Sequence, residues 1–107
     1  MPESYLPVEE APTRDEVDHM TGLVLLEFGT EWCGICRASA PYIESLLTQY
    51  PMVRHLKVAD GPGQALGRSF RVKLWPSLVF LRDGAAVRQL ARPTHSELKE
   101  AFAALVG

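Results

Sequence analysis

Cysteine is scarce in this chain: Cys33 and Cys36 are the two in 107 residues. A disulfide scaffold needs more, and a bridge between residues this close closes too small a loop to remove much unfolded-state entropy. A structural zinc site takes four Cys or His ligands. Beside the two thiols stand three scattered histidines, His19, His55 and His95, so no metal is expected. Covalent haem attachment requires a histidine after the second cysteine, and position 37 is Arg. An iron–sulfur cluster held by one chain requires more thiolates. Massed charge of one sign is also missing. The net charge is −2, and Arg14, Lys57, Arg71 and Arg88 are dispersed, which argues against a nucleic-acid partner. No long apolar run is present. Leu23–Leu26 is far too short to span a bilayer, and residues 1–10 have neither the basic start nor the apolar stretch of a signal peptide. No membrane association is expected, and the cytoplasm is the expected compartment.

What is present is an ordinary globular balance, 47% apolar and 22% charged, enough for one core. Residues 1–12, with Pro2, Pro7 and Pro12, read as a loose arm with a short edge strand at Tyr5–Val8; residues 13–107 read as one domain. Thr13 and Glu16 form a capping box opening a helix that buries Val17 and Met20 and ends at Gly22. Leu23–Phe28 suits a central parallel strand covered on both faces. Helical spacing then runs from Cys33 to about Tyr50 with Pro41 inside. A strand is expected at Val53–Ala59, a short helix at Gln64–Phe70, and a hairpin from Ser77–Leu81 through Arg82–Gly84 to Ala86–Leu90. A second capping box, Thr94 and Glu97, opens a helix to Val106 that buries Leu98, Phe102 and Leu105. The class is α/β, a mixed sheet flanked by helices on both faces.

The chemistry lies in Cys33-Gly34-Ile35-Cys36. The thiolate is the nucleophile in disulfide exchange. At a helix N-terminus, unpaired backbone N–H groups and the positive end of the helix dipole face the Cys33 sulfur and favour its anion. Cys36, three residues on, shares that helix face and is expected to be more buried. Cys33 therefore attacks and Cys36 resolves the mixed disulfide.

The run Leu23-Val-Leu-Leu-Glu-Phe-Gly-Thr-Glu-Trp-Cys-Gly-Ile-Cys-Arg-Ala-Ser-Ala-Pro41 resembles the strand, active-site loop and kinked helix of the thioredoxin family. Phe70-Arg-Val-Lys-Leu-Trp-Pro-Ser-Leu-Val-Phe-Leu-Arg-Asp-Gly84 resembles the family's second signature. The resemblance covers about residues 13–107 and implies the thioredoxin fold, a dithiol–disulfide reaction and no cofactor. It implies a cis bond at Trp75-Pro76 facing the cysteines, against the alternative of an ordinary trans proline. Trp32 matches the tryptophan before the first cysteine and is expected to shield the disulfide. Glu27 stands where the family commonly carries a buried Asp behind the disulfide. Such a carboxyl is placed to take the Cys36 proton through a water; the alternative is a carboxylate reaching solvent. Lys57 is read as a solvated strand lysine rather than a neighbour of Glu27. Ile35 replaces the family's usual proline, from which a more oxidising couple is expected.

Gly34, Ile35, Trp75, Pro76, Leu90 and Ala91 are expected to form an apolar rim for docking substrate proteins, with Trp75 alternatively in the core. Arg92 adds a charge to that rim. The leading function is reduction of protein disulfides by a monomer recharged by a thiol-donating reductase. The alternatives are a disulfide oxidase or isomerase in an extracytoplasmic space, and a thioredoxin-fold binding module without turnover.

Overall fold

Side chains alternate across a strand, and Leu23–Gly29 (β1) uses both faces: six of its seven residues are buried. Leu25 points to one helical layer and Val24, Leu26 and Phe28 to the other. The computed structural model describes residues 4–107; residues 1–3, the start of the expected arm, lie outside the described residues. Among the described residues β1 is joined by Arg54–Ala59 (β2), Ser77–Arg82 (β3) and Ala85–Ala91 (β4) in the order β2-β1-β3-β4. β1 runs parallel to β2 and antiparallel to β3, which pairs antiparallel with β4. The expected parallel strand is thus parallel on one side only.

Leu25, Leu78 and Phe80 pack against Ile43 and Leu46 of the helix Gly34–Gln49 (α2) and Leu98, Phe102 and Leu105 of the helix His95–Val106 (α4). The opposite face packs on Val17 of Arg14–Asp18 (α1) and Leu66 of Ala65–Ser69 (α3). The core is therefore double, with one apolar layer on each face of the sheet.

Both capping boxes are present. Thr13 Oγ1 accepts from Glu16 N–H at 3.1 Å and Glu16 Oε1 accepts from Thr13 N–H at 2.8 Å; Thr94 and Glu97 repeat the same distances. The first helix is shorter than expected. It stops at Asp18, and Gly22 (φ 80°) lies in the following turn, where its N–H donates to Asp83 Oδ1 at 2.8 Å.

The expected strand at Tyr5–Val8 is corrected to a single bridge, Leu6 beside Val58. Leu6 donates to the Lys57 carbonyl at 2.8 Å and accepts from Ala59 at 2.9 Å. Val8 would carry the next ladder bond, but Val8–Glu10 already turn as a 3-10 helix. The arm is fastened to the outer edge of β2 rather than loose. No helix among the described residues is long and apolar enough to cross a membrane.

Candidate active site

The first turn of α2 begins where β1 ends. Cys33 is the N-cap, extended at φ −81° and ψ 115°, and its sulfur accepts from the Cys36 N–H at 3.2 Å. A thiol thus fills the capping position usually held by a Ser or Asp oxygen. Cys33 keeps 9% of its surface exposed and Cys36 2%; both are free thiols. Burial pushes the Cys36 thiol up to about 11, helped by its hydrogen bond with Cys33, while bonds from the Thr30 backbone and the Tyr5 side chain pull the other way.

Trp75-Pro76 is a cis peptide, and the Trp75 carbonyl accepts from Cys33 Sγ at 4.0 Å. Pro76 is buried and Trp75 half-buried. The Trp75 indole N–H donates to Asp60 Oδ2 at 2.9 Å, and its ring meets Trp32 edge-on with centroids 5.5 Å apart. Trp32, expected to pack beside the loop and shield the disulfide, keeps 73% of its surface exposed. Gly34 and Ile35 are exposed on the first turn of α2. Ala91 is exposed and pairs with Ser77, next to Pro76. Leu90 leaves the rim: opposite Leu78, it packs half-buried against the α2–α4 core layer. Arg92 is exposed and its Nε donates to the Trp75 carbonyl at 2.9 Å, which holds its charge beside the rim.

Glu27 is buried, 1% exposed, so the solvent-reaching alternative is set aside. One oxygen contacts His55 Nε2 at 2.8 Å and the other accepts from the Tyr5 hydroxyl at 3.3 Å. Lys57, opposite Glu27 in the parallel register, is corrected from solvated to buried. Its Nζ lies 4.3 Å from the Tyr5 ring centroid, and the arm covers what an exposed edge strand would leave open.

A family model for thioredoxin matches residues 5–104. The chain belongs to the thioredoxin family. Thioredoxins are protein-disulfide oxidoreductases, and with the pair Cys33 and Cys36 in place this thioredoxin-family chain is a thiol–disulfide oxidoreductase. The reduced structure of thioredoxin 2 from Pseudomonas aeruginosa is 55% identical and superposes with a TM-score of 0.88, covering 100% of this chain and 98% of that one. Thioredoxin from Chlamydia trachomatis is 35% identical over 69 residues, 64% of this chain and 68% of that protein. An H-type thioredoxin from Fagopyrum esculentum is 30% identical over 76 residues, 71% of this chain and 66% of that protein.

Beside the thioredoxin signature, four residues complete this site that the sequence did not announce: Tyr5, Gly29, His55 and Asp60. Two glycines show how closely it is packed. Gly67 lets α3 approach the Asp60 carboxylate, which occupies the place of a β-carbon. At Gly29, a β-carbon would lie 2.7 Å from both Cys36 Sγ and the Tyr5 hydroxyl. Gly29→Ala is therefore expected to cost about 1–3 kcal/mol, the usual range for overpacking, read by chemical denaturation of the reduced protein. An unchanged midpoint would show that the sulfur and the hydroxyl move aside freely.

Proposed function

We propose that the chain reduces disulfides in other proteins, with Cys33 as nucleophile and Cys36 as resolving thiol. The observation that carries this reading is the asymmetry of the pair. Cys33 sits at the helix N-terminus, capped by a backbone N–H and beside the Trp75 carbonyl. Cys36 lies behind it, almost fully buried and holding its proton to about pH 11. Cys33 attacks the target disulfide, and Cys36 then attacks Cys33, releasing the reduced target and closing the Cys33–Cys36 disulfide. Glu27 serves as the base for that second step. A thiol-donating reductase restores the dithiol. The exchange itself uses no cofactor, and the chain acts as a monomer in the cytoplasm.

The exposed apolar groups Trp32, Ile35 and Leu74, with half-buried Trp75 and exposed Ala91, suit docking of an unfolded or extended target. The reductive direction is supported by similarity along the whole chain to a protein named thioredoxin 2.

Ile35 favours a second reading, an oxidant or isomerase, since a residue between the cysteines adjusts redox poise. The midpoint potential of the pair separates the two. We expect a value above the roughly −270 mV of a thioredoxin but low enough to sustain insulin reduction. A potential near the roughly −120 mV of a strong periplasmic oxidant would replace the reductase with the oxidase.

A further inference from the structure

Cys36 has to lose a proton at the moment it attacks. With burial holding this thiol up at about 11, above the ordinary thiol range, only about one molecule in ten thousand carries the thiolate at pH 7. Desolvation, the largest cause of that shift, persists when Cys33 is tied up in a mixed disulfide. A base must therefore reach a sulfur that solvent barely touches.

The arm supplies the missing link. Tyr5 donates its phenolic proton to Glu27 Oε2 at 3.3 Å. The same hydroxyl approaches Cys36 Sγ over the bare backbone of Gly29, where one β-carbon would collide with both. The phenol's one proton is within reach of the carboxylate and of the sulfur, and when it goes to Glu27 an oxygen lone pair is open to accept from the thiol. Leu6, the next residue, is hydrogen-bonded on both sides to β2, which holds Tyr5 in place. We propose that the Tyr5 hydroxyl relays the Cys36 proton to Glu27 during resolution, which makes the N-terminal arm part of the resolving machinery. The proposal rests on the reading of Cys36 as resolving thiol and Glu27 as its base.

In the mixed disulfide the target sulfur is bonded to Cys33 Sγ. The Cys36 S–H proton passes to the Tyr5 oxygen as the phenolic proton passes to Glu27. The Cys36 electron pair forms the bond to Cys33 Sγ, the Cys33–target bond breaks, and the target sulfur leaves with the pair of that broken bond and is protonated by water. Cys33 and Cys36 end oxidised, the target thiol reduced and Tyr5 unchanged. Glu27 has gained one proton. Its other oxygen touches His55 Nε2 at 2.8 Å, and the His55 side chain keeps 10% exposure, an outlet toward the surface.

Tyr5 never becomes a phenolate in this sequence. Burial and the neighbouring Glu27 charge hold its phenol far above the ordinary range, so the two transfers are coupled. The other charged groups near the relay are Lys57, over the Tyr5 ring, Glu31, Arg37 and Glu44, which line the cavity beside it, and Asp60, which lines a second cavity with Tyr5. Three of these five are acidic and two are basic.

The test uses the reduced full chain and the chromogenic disulfide dithiobis(nitrobenzoate). Attack by Cys33 releases one thionitrobenzoate, and resolution by Cys36 releases a second in a separate phase. Tyr5→Phe keeps the ring over Lys57 and removes the hydroxyl. It is expected to leave the first phase unchanged and to slow the second about ten- to a hundredfold at neutral pH, within the range of general acid–base effects. The deficit should narrow as pH rises and Cys36 ionises unaided. Glu27→Gln should show the same profile, and the double variant should be no slower than the slower single one. A wild-type second phase in Tyr5→Phe, a deficit constant across pH, or additive losses would each overturn the relay. Should Tyr5→Phe unseat the arm, 3-fluorotyrosine in place of Tyr5 keeps the ring and the hydroxyl while acidifying the phenol; it should change the rate of the second phase alone, and an unaltered second phase there would overturn the relay. Loss of the first phase in the unsubstituted protein would instead reject the exchange reading itself.

Discussion

Cys33→Ser is expected to abolish disulfide reduction, lowering insulin turnover on the order of 10⁴-fold or more, as removal of a catalytic nucleophile does. The hydroxyl is far weaker than a thiolate, and Cys36 cannot substitute for it. Its sulfur is 2% exposed and holds its proton to about 11, so the wrong partner is both hidden and protonated. Cys36→Ser separates the steps. It keeps the residue 36 backbone N–H that caps the Cys33 sulfur at 3.2 Å, so attack should proceed near the normal rate. The mixed disulfide then has nothing to resolve it, and a covalent adduct of one target per chain should accumulate in non-reducing mass spectrometry. Equal turnover by the unsubstituted protein and Cys33→Ser would leave a binding module in place of the reductase.

The largest stability effect is expected at Phe102. Its side chain is fully buried in the layer between the sheet, α2 and α4. Its ring stacks on Tyr50 with centroids 5.5 Å apart and meets Phe80 edge-on at 5.3 Å. Phe102→Ala removes the transferred area, opens a cavity and breaks both ring contacts, and should cost about 3–5 kcal/mol. Total stabilities of such domains are about 5–15 kcal/mol, so the melting point should fall on the order of 15 °C or more. A loss below about 1 kcal/mol would mean that α4 collapses into the gap without penalty. The same layer holds Ile43 and Leu46, which seat α2 against the sheet. A loosened Phe102 site would therefore loosen the helix whose N-terminus holds Cys33.

Most of the fold was legible because its signals are local. A capping box is a four-residue geometry, and Thr13–Glu16 and Thr94–Glu97 form as their spacing requires. Strand and helix periodicity put Leu25 and Phe28 in opposite layers. The cysteine pair reads equally well, since residues three apart on a helix share a face whatever surrounds them. Early termination of α1 and the loss of the Tyr5–Val8 strand have the opposite origin. Both follow from how short segments meet the rest of the molecule.

The site divides along the same line. The cysteines, Pro76 and Trp75 carry their chemistry in sequence motifs, and the structure brings them together. The partners of Glu27 come from 22 and 28 residues away, on segments whose registers a one-residue slip would reverse. Lys57 read as solvated because the register of its strand was open by one residue, and such a slip flips the side chain; the Tyr5 ring covers it. Chain order alone specifies a reactive pair at the start of a helix, because dipole, cap and spacing are short-range. What stands behind Cys36, and hence how its proton can leave, depends on contacts between distant segments, since only packing brings Tyr5, Glu27 and His55 within hydrogen-bond reach.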